Sequence, residues 1–508
     1  MKSLLTYLMC LAVVVSFASC DNVLDVEPKG QQLESNYYQT PDQAYAALVA
    51  AYNPIGWQTG GPDGTWIPLL GPLNAATAGM NAGGGGPNDI PTIQAWNSYD
   101  MSSAVGPQAG YWSRSYAGIN RANLFLARID GVQGLDEATK ARYVAEARFL
   151  RGYYYFWLVR LFRNVPLYTS PLETSEIYEI EQAPPEDVYA QIDEDFTAAI
   201  ADLPAAPLPS NEAGRATKGA ARAFLAKSLM YEIGDSQDQE KMGRAANLLN
   251  QVNTSTAYAL LDNYPDIFRA DNKFHSESIF EITHTSKQQA DWPNFGSGNI
   301  QGNVYVQMVG PRGYSGPKYA SGYGFNPITS VLVDALQGDP RYGYTIANID
   351  SIASNNSSAS YEPSPHQNTG YFIEKYAPLQ ENRADVITPE LNYPNNYIEV
   401  RLAETYLLEA EAILRSNGSI ARAEFLVDEV RDRVGLGPVT SPVTLEDVYQ
   451  EMWLELATEG HRWFNLVRTG RAADVLADEG FVEGVHEVLP IPLESLNNSQ
   501  LEQNNGYD

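Results

Sequence analysis

Residues 145–162 read Ala-Glu-Ala-Arg-Phe-Leu-Arg-Gly-Tyr-Tyr-Tyr-Phe-Trp-Leu-Val-Arg-Leu-Phe. At helical spacing, Phe149, Tyr153, Phe156 and Trp157 form one stripe, and Leu150, Tyr154, Leu158 and Leu161 form the next. A helix apolar on so many sides must be buried among other helices. The run is therefore core, not a ligand box. It predicts a helix over about 137–163, stopped by Asn164-Val165-Pro166.

Other segments supply its neighbours. Thr40-Pro41-Asp42 opens a helix through Tyr52, with Pro early and an acid in the first turn. Helices are expected at about 108–129, 186–202, 215–233, 396–416 and 419–434. In the last two, Ala403, Leu407, Ala410 and Leu414 face Ala423, Leu426, Val430 and Val434. Ser419 can cap the second of these, and Gly435 can end it. The hairpins recur at intervals near those of tetratricopeptide repeats. The expected fold is mostly α, with about four such hairpins as scaffold (about 36–52, 108–253 and 393–470).

Two stretches break the pattern. Residues 53–107 hold Gly-Gly-Pro-Asp-Gly, a Gly83–Gly86 run, and Trp57, Trp66 and Trp96. Residues 254–392 are rich in Gly, Asn, Ser, Tyr and Pro, with short strand-like runs such as Ser278 to Thr283 and a polar stretch, Ser351 to Asn368, expected as a surface loop. Long ordered loops usually carry function. No linker divides the chain cleanly, so 36–508 is read as a single domain.

The N-terminus has a basic start and an apolar run from Leu4 to Phe17. That is the length of a signal-peptide core and too short to span a bilayer comfortably. Phe17-Ala18-Ser19-Cys20 resembles a bacterial lipobox. Residues 1–19 would be removed, Cys20 acylated, and 20–35 left as a tether. The other cysteine, Cys10, leaves with the signal, so disulfides, thiolate zinc sites and thiol nucleophiles are excluded. A net charge of -29 argues against nucleic acid and other polyanions as ligands.

Catalytic motifs are lacking: there is no phosphate-binding P-loop, no Gly-x-Ser-x-Gly elbow and no His-Glu-x-x-His. The five histidines are dispersed, and no metal or cofactor is expected. His461 is read as a packed residue. Acidic residues are plentiful, and counting alone does not exclude a glycosidase pair.

Several blocks resemble the SusD/RagB family of outer-membrane nutrient-binding lipoproteins of Bacteroidetes. They are Ala145 to Phe156, Asn164-Val165-Pro166, Gly214 to Ala221, Tyr397 to Ala412, Glu459 to Leu466, and the tail from Leu489-Pro490-Ile491-Pro492 to Tyr507. Asn465 departs from a frequent Asp. The resemblance implies a SusD-like fold with an irregular, loop-rich ligand-binding half. It implies capture of a polysaccharide or oligosaccharide without cleavage, and delivery to a SusC-like TonB-dependent transporter. A peptide-binding RagB-type receptor and, further off, a lipid-anchored glycoside hydrolase stay open.

Binding residues are expected in the irregular segments, where aromatic rings can stack on sugar C–H faces and polar side chains can take hydroxyls. From 57–100 the candidates are Trp66, Asn81, Asp89, Trp96, Asn97 and Tyr99, with Trp96 at the family's stacking position. From 291–325 they are Trp292, Asn294, Tyr305, Arg312, Tyr314 and Tyr323. The Trp-rich loops favour sugar over peptide, and the acidity favours neutral glycans.

Overall fold

The structure, a computed structural model, describes residues 38–57, 68–173, 175–287, 290–294, 300–497 and 499–507. The signal peptide, Cys20 and the rest of the tether lie outside them. The long helices, numbered in chain order, are α1 (Pro41–Tyr52), α2 (Gln108–Arg128), α3 (Glu137–Phe162), α4 (Pro185–Asp202), α5 (Lys218–Ile233), α6 (Gln239–Asn253), α7 (Leu402–Arg415), α8 (Ile420–Asp432) and α9 (Leu445–Glu455). The strands are β1 (Val165–Pro166), β2 (Gln182–Ala183), β3 (Ser278–Ile282), β4 (Ile346–Asn348), β5 (Tyr371–Ile373) and β6 (Tyr397–Arg401).

Each long helix packs on its predecessor, from α1 to α8. α2–α3, α4–α5 and α6–α7 form successive pairs; α8 and α9 both lean on α7 and close the stack. α3 is buried at every residue from Phe149 to Phe162, as its all-round apolar pattern requires. Several of its polar groups are matched inside the core. Arg151 makes a bidentate pair with Asp195 at 2.8 and 2.7 Å. Tyr153 and Trp157 donate to Glu399 at 2.6 and 3.1 Å. Buried polar groups are costly without such partners. Gly118 of α2 lets α3 approach, since a Cβ there would stand 2.0 Å from the Tyr154 ring.

The caps follow the sequence. Thr40 and Gln43 form a reciprocal capping box on α1, and Ser419 caps α8 by accepting from Arg422 N. Three expectations change. The helix expected at 396–416 starts only at Leu402, because Tyr397–Arg401 is β6, paired antiparallel with β3. α6, capped by Asp238, was not expected; its stripe of Met242, Ala245, Leu249 and Val252 seats it against α5 and α7. The stretch expected as a loop at 351–368 begins inside a helix, Ile349–Asn355.

Residues 254–401 leave the stack after α6 and return at α7, its spatial neighbour. The excursion carries the sheets β3–β6 and β4–β5 and several short helices. It is fixed to the scaffold by a buried ion cluster. Arg401 donates to Glu277 (3.0 Å), Glu455 (2.6 Å) and Glu459 (2.8 Å). Lys375 reaches Glu459 at 2.7 Å, and Arg341 reaches Glu455 at 2.9 Å. A second apolar cluster of Ala75, Ala82, Ile93, Ala290, Ile300, Val304, Met308, Phe325 and Leu391 joins the two irregular regions to each other.

Two buried histidines give the fold a pH window. Burial pushes His284 and His461 down to about 4, although Glu404 at 3.4 Å works to raise His461. In the unfolded chain both titrate near ~6.5. The unfolded state therefore takes up protons first as pH falls, and stability present above about 6.5 is lost towards about 4. The urea midpoint should drop between pH 6.5 and 4.5, and His284→Gln should flatten part of that drop. An unchanged pH profile in the variant would contradict this assignment for His284.

Candidate functional site

The two irregular regions meet in a platform above the second apolar cluster. One side is the glycine run. Asn326 N donates to Ala82 O at 3.0 Å, and Gly84 N donates to Gly324 O at 2.9 Å. Gly83 and Gly84 have φ of +70° and +90°, and a Cβ on Gly84 would stand 2.7 Å from the Phe325 ring. Only glycine combines this backbone with this approach. The run is thus docked on 324–327, and its glycines serve contact with the chain itself. Asp89 Oδ2 closes the loop by accepting from Gly85 N at 2.7 Å.

Arg312 lies over Gly85, its guanidinium 3.0–3.1 Å from where a Cβ would be. It donates to Tyr323 O at 3.3 Å and approaches Glu362 at 3.5 Å. Asn81 donates to Gln367 O at 3.2 Å beside it. Tyr323 rests half-buried on the apolar cluster. Burial, then Glu390, pushes its hydroxyl up to about 12, against the opposing pull of Arg312. The phenol therefore stays protonated, able both to donate and to accept.

Trp292 forms the other side. Asn392 clamps the preceding backbone: its Oδ1 accepts from Ala290 N, and its Nδ2 donates to Ala290 O, both at 3.0 Å. Leu391, fully buried, anchors the turn that carries Glu390. Glu390 Oε1 then accepts from Trp292 Nε1 at 2.9 Å. The indole is held by its edge while the side chain stays 41% exposed. Among the described residues it is the one tryptophan so exposed. A ring fixed at one edge and open to water is a stacking surface whose orientation is already set.

The platform thus collects Asn81, Asp89, Trp292, Arg312 and Tyr323 from the candidate list. Trp66 lies outside the described residues, as does the side chain of Asn294. Five candidates are corrected, because burial removes them from any ligand. Trp96 is fully buried, with its ring edge-on to Trp463 at 5.1 Å. Asn97 is buried and accepts from Ala82 N at 3.1 Å while donating to Ala75 O at 2.8 Å. Tyr99 donates to Ala76 O at 2.6 Å inside the core. Tyr305 is bound between Asn74 (2.7 Å) and Asn326 (3.2 Å). Tyr314 is buried edge-on to Tyr319 at 5.4 Å.

Trp96→Ala should therefore cost about 3 kcal/mol of folding stability as a large-to-small core change. It should leave glycan affinity unchanged in the folded fraction. Calorimetric melting combined with titration separates the two effects. Glu390 and Asn392 were missed because Pro389 to Asn396 has no pattern that distinguishes a positioning residue from loop polarity.

Two family descriptions match the chain: "SusD family" over residues 276–507, and "Starch-binding associating with outer membrane" over residues 88–230. Among solved structures, a laminarin-binding SusD-like protein is 41% identical, with a TM-score of 0.86, covering 92% of this chain and 100% of that one. The chain belongs to the SusD family. Surface glycan-binding protein A from Bacteroides thetaiotaomicron, solved with laminarihexaose, is similar to this SusD-family chain at 27% identity and a TM-score of 0.81, over 92% and 100% of the two chains. The starch-binding protein SusD of Bacteroides thetaiotaomicron is 25% identical, over 96% of each chain.

Proposed function

We propose that this SusD-family chain is a lipid-anchored receptor on the outer membrane, facing the cell exterior. In this reading it captures a neutral glucan of the laminarin type and passes it uncleaved to a SusC-like TonB-dependent transporter. One observation carries the ligand class: 41% identity, over 92% of this chain, to a protein described as laminarin binding.

The platform supports that reading chemically. A neutral glucan presents C–H faces ringed by hydroxyls. Trp292 offers an apolar face of fixed orientation; on the glycine-loop side Tyr323, Arg312, Asp89 and Asn81 supply donors and acceptors. The carboxylates named above are already engaged: Asp89 with the glycine loop, Glu390 with Trp292, Glu362 with Arg312. Those contacts suit positioning rather than general acid–base work. The net charge of -29 disfavours uronates and sulfated chains. No helix among the described residues is long and apolar enough to cross a membrane; the anchor in this reading is acylated Cys20.

Calorimetric titration of the lipid-free form starting at Asp21 tests this against laminarin, other neutral glucans, pectin and a peptide digest. Saturable binding of laminarin without release of reducing ends is the expected result. Binding of peptides alone would make it a RagB-type receptor, and release of sugar would make it a hydrolase.

A further inference from the structure

A separate cleft of about 490 Å³ opens on the excursion, larger than the clefts of about 280–290 Å³ beside Trp57 and Tyr258. The turn Tyr264–Phe268 and the loop after it form one wall; Tyr344 and segment 374–382 form the other. Its volume is that of sites for small organic ligands. None of the platform residues lines it.

Its chemistry is specific. Tyr344 is 45% exposed at the mouth, backed by Tyr264 at a ring separation of 6.3 Å. Phe268 lies deeper, edge-on to Tyr376 at 5.9 Å. Much of the charge is compensated locally. Arg269 pairs with Asp271 at 2.8 Å, Lys375 with Glu459 at 2.7 Å, and Glu374 accepts from Tyr319 and Lys318 at 2.6 and 2.7 Å. Asn263, Asn382 and Asn395 add amides that donate and accept equally. Asn395 is buried, and its Oδ1 has no hydrogen-bond partner among the described residues. A buried acceptor beside a cleft, left without a donor, calls for one from a guest or a water.

An exposed ring, amides and two further carboxylates, Asp266 and Glu381, fit hydroxyl-bearing neutral molecules better than anions or hydrocarbons. We propose that this cleft is a second saccharide site, taking about two or three sugar residues of a neutral glucan. The inference rests on the reading of the chain as a glucan receptor. Its wall is also linked to the platform. Ala320 N donates to Pro378 O at 2.7 Å, and Gln380 N donates to Lys318 O at 3.0 Å. Segment 374–382 is thus paired with the run that carries Arg312 and Tyr323, and in this proposal one polysaccharide engages both sites.

The test is calorimetric titration of the lipid-free chain and of Tyr344→Ala, Asn382→Ala and Trp292→Ala with laminarihexaose and with laminarin. Wild type should take two hexaose molecules and each single-site variant one. Affinity for polymeric laminarin should fall about 10-fold in Tyr344→Ala, because linked sites act at high effective concentration. Both cleft variants change partly exposed side chains, and melting curves check that they fold. Binding of one hexaose, lost in Trp292→Ala and untouched by Tyr344→Ala and Asn382→Ala, overturns the cleft and leaves the receptor reading intact. No binding of any glucan by wild type overturns both.

Discussion

Trp292→Ala is expected to weaken the platform's affinity for laminarihexaose at least about 30-fold, the effect of losing roughly 2 kcal/mol at a binding hot spot. The urea midpoint should move little, because the residue is 41% exposed. The expectation is large because the ring does its ordering before the ligand arrives. Asn392 fixes Ala290, and Glu390 holds the indole N–H at 2.9 Å. A sugar face meeting such a ring loses little to side-chain ordering. Two companions sharpen the test. Glu390→Gln keeps an acceptor for the indole and should bind nearly as well as wild type. Glu390→Ala frees the ring and should lose part of the affinity. If Trp292→Ala binds as wild type does, the platform is not the glucan site.

The second large effect concerns stability. Glu455 accepts from Arg401 at 2.6 Å, from Arg341 at 2.9 Å and from Arg433. Burial works to raise its pKa, but Arg433, Arg401 and Arg341 outweigh it and hold the carboxyl well below the usual range. Glu455→Gln keeps the shape and removes the charge, leaving three buried guanidinium groups short of one anion. Breaking a buried pair from one side costs about 3–5 kcal/mol, and the upper end is expected here. The sign with pH follows from the depressed pKa. The contribution is whole above the ordinary carboxylate range and is lost as pH falls through the lower, folded value. Urea denaturation of wild type and variant at pH 7 reads the difference; a loss under 1 kcal/mol would show that the remaining acids carry the cluster unaided.

What could be read from the residues depended on how local the cause was. α3 was legible because its apolar stripes repeat every turn, and a helix buried on all sides has one physical explanation. Caps at Thr40 and Ser419 were legible for the same reason: donor and acceptor lie three residues apart. Trp96 and Trp292 show the limit. Both are tryptophans in segments whose sequence reads as polar and irregular, although Trp96 lies in a short helix, Pro91–Asn97. One is sealed against Trp463, hundreds of residues away; the other is turned to water by Glu390. Their difference lies in partners that no periodicity links to them. β6 was hidden similarly, since Tyr397–Arg401 takes its conformation from β3, not from its neighbours in sequence.

The departure of residues 254–401 between two touching helices has a consequence for how such a molecule can change. The ends of the excursion are held together by α6 packing on α7, whatever lies between them. Lengthening a loop whose ends are already pinned adds closure entropy only logarithmically. Insertions and deletions near Trp292 or Tyr344 can therefore accumulate without disturbing the repeat stack, provided Arg401 and Glu277 keep their places in the ion cluster. The stack and the ion cluster are the fixed part, and the loops between the cluster's residues are the part that can be edited without unfolding the rest.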